Sequence, residues 1–252
     1  MAKQAMAMTA DTIFLLSGQP FVISKKLKVR HPTLGDVISI GEQRYWSALN
    51  CFTAIPSDAK SALWKVGLDW EKVSDFDFFA ISTRSATPEE SGIFFDPAID
   101  FTKARAFKDN NGDIGLYCPD VDLVIDYVSY RRIADFLQKV HRLKKQPEKA
   151  GNAFTKKMLI RLDEEDHARQ AREPFQSKLG NLMSAACNMP GFKYNYQEIQ
   201  QLPMGAFIDS VIRLQIIKNA EQLISGIYAG TIDSKKINKK KLDWTRPLEA
   251  GE

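Results

Sequence analysis

The chain lacks most of what would announce a reaction. Its 252 residues hold three cysteines, Cys51, Cys118 and Cys187, odd in number, far apart and without a C-x-x-C pair. That argues against a disulfide scaffold and a paired-cysteine zinc site, and it fits a reducing compartment. The three histidines, His31, His141 and His167, stand apart from one another. Serine nucleophile elbows, G-x-G-x-x-G turns, P-loops and H-E-x-x-H helices are missing. The early apolar run Ile13 to Leu16 is too short for a signal peptide, and no later run approaches the roughly eighteen apolar residues that span a bilayer. The sequence therefore predicts no catalytic residue, no cofactor, no metal and no membrane insertion, in a cytosolic protein.

Charge of one sign is scarce too. The 35 Lys plus Arg exceed the 31 Asp plus Glu by four, a small excess for a long chain. A duplex-binding protein usually clusters a larger excess, so nucleic acid is not implied as a partner. The one dense run is Lys235, Lys236, Lys239, Lys240, Lys241 and Arg246, which predicts a solvated basic tail over 234–252. A basic nucleic-acid-binding protein remains an alternative reading of that run.

Apolar helices are what the chain has. Asn195 with Glu198, and Pro203 before a second apolar run, predict a short helix feeding a long one from Met204 to Ile224. One stripe of that helix is Met204, Phe207, Val211 and Leu214, and another is Ile208, Ile212, Ile216, Leu223 and Ile227. More than half its circumference is apolar, as in a core helix or a partner groove. Asp209, Arg213, Lys218, Asn219 and Glu221 are dispersed, with no nucleophile beside a base.

In front, alternation in FVISKKLKVRHP predicts a strand from Phe21 to Val29. Thr33 and Asp36 predict a capped helix through Leu34, Tyr45 and Phe52, with Gly41 marking a close contact or bend. Pro56-Ser57-Asp58 and Asp75 start two further short helices, and Trp64, Trp70 and Phe78 near them read as a small core. From Ile93 to Val128 the pattern turns to strands at Ile93–Phe95, Phe101–Phe107, Ile114–Tyr117 and Leu123–Ile125, with DNNGD at 109–113 as a hairpin turn. Asp109, Asn111 and Asp113 have calcium-loop spacing, but Ile114 stands where that loop needs Gly and Asp120 where it needs Glu.

Ser129 is expected to cap a helix through Ile133, Leu137 and Val140, and KKQPEKAGN to form a linker. Behind it, one helix should turn Phe154, Met158, Leu159 and Leu162 inward, and another should start at Pro174. The Glu164–His167 pair has no second copy and reads as a solvated face. The resulting expectation is an α+β, predominantly helical fold: a flexible tail over 1–20, an α+β domain over 21–147, a helical bundle domain over 148–233 and the basic tail.

Several stretches together, HPTLGDVISIGEQRYWS at 31–47, DVDLVIDYVSYRRIADFLQKVHRLKK at 120–145, GNAFTKKMLIRLDEED at 151–166, the segment from Pro190 to Ile237, and KKLDWTRPL, resemble the tail assembly chaperones of long-tailed bacteriophages of Gram-positive hosts. The resemblance implies a non-enzymatic protein of the host cytoplasm. It would bind the tape measure protein, recruit tail tube subunits and self-associate along its client. A structural tail component retained in the virion is the alternative. Phe207, Val211, Leu214, Tyr228 and Trp244 are the candidate partner contacts, and each also fits plain core.

Overall fold

The computed structural model describes residues 11–108 and 114–248. Asp11 accepts the Phe14 amide at 2.8 Å and starts helix α1 (Thr12–Ser17). Phe14 and Leu15 then pack on the main core. The flexible tail expected over 1–20 is thus corrected for α1: the acid that breaks the apolar run is a helix cap. The strand expected from Phe21 to Val29 is a hairpin, β1 (Phe21–Ser24) and β2 (Leu27–Val29), because the break of phase at Lys25 is a turn.

Thr33 and Asp36 form the capping box of α2 (Leu34–Ile40). Gly41, at φ 87° and ψ 138°, breaks the expected single helix and hands over to α3 (Glu42–Thr53). Only glycine takes that conformation without strain. Two short helices follow, α4 (Lys60–Lys65) and α5 (Asp75–Ser82), the latter capped by Ser74 rather than Asp75. Ile93 and Phe94 belong to α6 (Pro88–Phe94), not to a strand, since Thr87 and Glu90 make a second capping box. Only β3 (Phe95–Asp96) is extended there.

Phe101–Lys103 is one helical turn, and the strand begins after it, as β4 (Arg105–Lys108). β5 (Ile114–Cys118) and β6 (Leu123–Ile125) lie where the pattern placed them. The DNNGD segment, with Asp109, Asn111 and Asp113, lies outside the described residues. Asp126, not Ser129, caps α7 (Tyr127–Val140), accepting the Ser129 amide at 2.7 Å. The rear of the chain forms α8 (Ala153–Arg172), α9 (Lys178–Cys187) and α10 (Met204–Tyr228). Among the described residues the strands form two antiparallel sheets, ordered β1-β2-β3 and β4-β5-β6. The fold is α+β and predominantly helical.

The core does not divide at residue 147. One cluster joins Leu27, Tyr45, Phe52, Phe94, Ile125 and Leu137 in front with Leu179, Met204 and Phe207 behind. The rear helices are fastened separately, α8 chiefly to α4 and α10 chiefly to α1 and α7, rather than to one another as in a free-standing bundle. A smaller cluster holds Leu63, Trp70, Phe78 and Ile160, while Trp64 is exposed. The expected linker is strapped down. Glu148 accepts from the Trp70 indole at 3.3 Å through its carbonyl and pairs with Lys60 at 2.8 Å, and the Ala150 amide donates to Glu71 at 2.6 Å.

Two histidines are sealed in the core. His141 donates from Nδ1 to the Leu137 carbonyl at 2.7 Å and accepts at Nε2 from the Tyr45 hydroxyl at 2.5 Å, which fixes the neutral tautomer. His31 sits edge-on to Phe136 at 4.9 Å, with no hydrogen-bond partner on either ring nitrogen. Burial lowers both to about 4, opposed by the Leu137 carbonyl at His141 and by the Gln19 backbone at His31, and the charge of His31 lowers His141 further.

Candidate functional site

Helix α8 begins at Asn152, whose side chain accepts the Thr155 amide, and is held to the body along one side only. On that side Ile160 is buried and Lys156 lies 4.8 Å from the centre of the Trp70 ring while pairing with Asp69 at 2.6 Å and Glu71 at 2.5 Å. Asp163 accepts the Ser61 amide at 2.9 Å one turn further on. Lys156, Ile160 and Asp163 therefore share the inward face, at helical spacing.

Of the four residues expected inward, Leu159 packs on the smaller core cluster, and the other three lie on the opposite side. Phe154 is 78 % exposed, Met158 50 % and Leu162 48 %. Spaced i, i+4 and i+8, they form an apolar stripe about 12 Å long. The correction has a physical cause: two sets of residues competed for the body, and the ion-paired set with Trp70 won. The stripe is thus part of the surface rather than of the core.

Beyond α8 the chain crosses an open groove of about 960 Å³ lined by Trp46, Phe175, Leu182, Met204 and Ile208. Phe175 precedes α9, because the helix expected from Pro174 begins only after Ser177, which caps it. Glu42 on α3 holds that cap: it accepts from the Leu179 amide at 3.0 Å, the Trp46 indole at 3.3 Å and the Ser177 hydroxyl. Desolvation pushes its carboxyl up, but the hydrogen bonds from Ser177, Leu179 and Trp46 together hold it below its ordinary value. The groove has an apolar floor, and its charged lining residues are Glu42, Glu173 and Lys178. Its apolar floor suits the side chains of a helix.

The five candidate contacts divide. Phe207 is 0 % exposed and belongs to the core, so its assignment as a partner contact is corrected: the first turns of α10 are clamped between α1 and α7. Val211 and Leu214 are half-buried. Tyr228, 88 % exposed at the end of α10, and Trp244, 52 % exposed, face solvent. They are not gathered into one patch with Phe207, since Phe207 and Tyr228 are about 32 Å apart along the helix. The tail is partly tethered: Arg213 donates at 2.8 Å to the carbonyls of both Trp244 and Arg246. Among the described residues no group of His, Cys, Asp and Glu could hold a metal ion, and no helix is long and apolar enough to cross a membrane.

Residues 169–249 match the family of the YomV second domain, which is phage-derived. The chain carries a phage-associated domain. This YomV-like segment spans about a third of the chain and supplies α9, α10, the tail and most of the groove, whereas the α8 stripe lies in front of it. No curated protein and no solved structure matches the chain.

Proposed function

We propose that this protein is a phage tail assembly chaperone. It works without a reaction of its own, in the host cytoplasm, by binding apolar helices of the tape measure protein until tail tube subunits are recruited, and copies associate along that client. The observation that carries this reading is the Phe154–Met158–Leu162 stripe, solvent-facing on a helix that is firmly anchored on its other side. A client helix with apolar residues at i, i+3 and i+4 can lie along it. The YomV-like segment supports the phage setting, and the resemblance of the chain to tail assembly chaperones supplies the client.

Co-expression with the tape measure protein is the test. The soluble fraction of that protein should rise several-fold, and the two should co-purify. An unchanged soluble fraction would remove the basis of the proposal. Recovery of this chain in stoichiometric amount from purified virions would favour a structural component instead.

A further inference from the structure

The sheet β4-β5-β6 has one covered face and one open face. Register places Leu116, Cys118, Leu123 and Ile125 together on the inner face, where all are buried. The same register places Arg105, Phe107, Gly115, Tyr117 and Val124 on the outer face, with Arg105 opposite Tyr117 at the end of β4 away from the Phe107–Gly115 pair. The water-facing side of an antiparallel sheet is ordinarily polar. Here Phe107 and Val124, with Tyr127 and Val128 at the start of α7, are between 38 % and 63 % exposed.

These four residues border a groove of about 750 Å³. Phe76 closes one side and meets Tyr127 edge to face at 6.4 Å. The Phe107 ring lies across Gly115, where a Cβ would stand 2.7 Å from its tip, so glycine lets the ring cover the strand. Two carboxylates, Asp77 and Asp126, line the groove, and none of its described lining residues is Lys or Arg. Both are fixed in place by capping contacts, Asp77 accepting the Ser74 hydroxyl at 2.6 Å and Asp126 the Ser129 amide.

Aromatic rings beside fixed carboxylates favour a segment that carries cations and apolar side chains together. The chain contains one. Lys235, Lys236, Lys239, Lys240 and Lys241 precede Leu242 and the half-exposed Trp244, and in its own molecule the segment is held by Arg213 through main-chain carbonyls, which leaves the Trp244 ring half open to solvent.

We infer that the outer face of β4-β5-β6 receives the lysine-rich C-terminal segment of a second copy of this chain, with Trp244 against Phe107 and Tyr127 and the lysines against Asp77 and Asp126. Groove and tail are different patches, so the contact is heterologous and repeats into a ring or a filament. It gives a surface to the self-association proposed above and does not involve the client stripe on α8.

Sedimentation velocity of the full chain over a range of concentrations tests this. Association should rise with concentration and weaken as salt is raised. Trp244→Ala, and separately the pair Asp77→Asn with Asp126→Asn, should each weaken it by about five-fold or more. Asn caps α7 well in place of Asp126, and at position 77 it can still accept the Ser74 hydroxyl, so the paired variant keeps its fold. Mixing the two variants one to one should give a species that stops at two copies, because one keeps its groove and the other its tail. A chain that stays monomeric at every concentration, or association that both variants leave intact, would overturn the inference. Neither outcome bears on tape measure solubility, which tests the client reading separately.

Discussion

Acid should destabilise this protein earlier and more steeply than its carboxylates alone would cause, because His31 and His141 are buried in the neutral form. Each titrates at about 4 in the folded chain against an ordinary 6.5. The folded value is the lower one, so the unfolded chain binds more protons below pH 6.5. The stability from keeping the rings neutral is present in full above pH 6.5 and is lost as the pH falls from there through about 4. The slope for one histidine approaches about 1.4 kcal/mol per pH unit, so each costs about 2 kcal/mol by pH 5 and about 3 kcal/mol by pH 4. Two such losses are comparable to the whole stability of an ordinary domain, on the order of 5–15 kcal/mol. Urea unfolding at pH 7 and pH 5 measures the loss in the parent chain and in His31→Phe, which fills the aromatic niche beside Phe14 and Phe136 without a titratable ring. The variant should lose about 2 kcal/mol less between the two pH values. An equal loss in both proteins, or an NMR titration placing the His31 ring near 6.5, would refute the reasoning.

Other substitutions separate core from surface. Phe207→Ala should lower stability by about 3–5 kcal/mol in urea unfolding, as for a fully buried aromatic, whereas Tyr228→Ala should shift it by less than about 0.5 kcal/mol. Thr33→Ala removes the capping box of α2 and should cost about 1 kcal/mol by the same assay. Arg213→Ala removes both hydrogen bonds that tether the tail, so trypsin should cut within Lys235–Lys241 several-fold faster while the thermal midpoint stays nearly unchanged.

Much of the fold is legible in the sequence, and what is not has identifiable physical causes. The capping signal at Thr33–Asp36 locates a helix start because it encodes specific hydrogen bonds, whereas the one at Asn195–Glu198, where Asn195 accepts the Glu198 amide at 3.0 Å, leads only into a single helical turn, Glu198–Gln201. The same signal at Thr87–Glu90 marks α6, and it is masked by the aromatic run Phe94–Phe95, which favours a strand. The hairpin at Lys25 is hidden because two short strands share one alternating pattern. The inward face of α8 is misjudged in part for a different reason: hydrophobicity points to Phe154, Met158 and Leu162 as well as to Leu159, which does pack inward, while the binding of Lys156 to Trp70, Asp69 and Glu71 is long-range and leaves no periodic trace. That misjudgement coincides with the candidate site.

The most direct test of the account replaces Phe154, Met158 and Leu162 together by serine and asks whether the tape measure protein stays soluble when the two are co-expressed. These side chains face solvent, so circular dichroism and thermal unfolding of the variant should match the parent. The account predicts that the folded variant leaves the tape measure protein in the pellet while the parent brings it into solution. Equal solubilisation by the two proteins would contradict it.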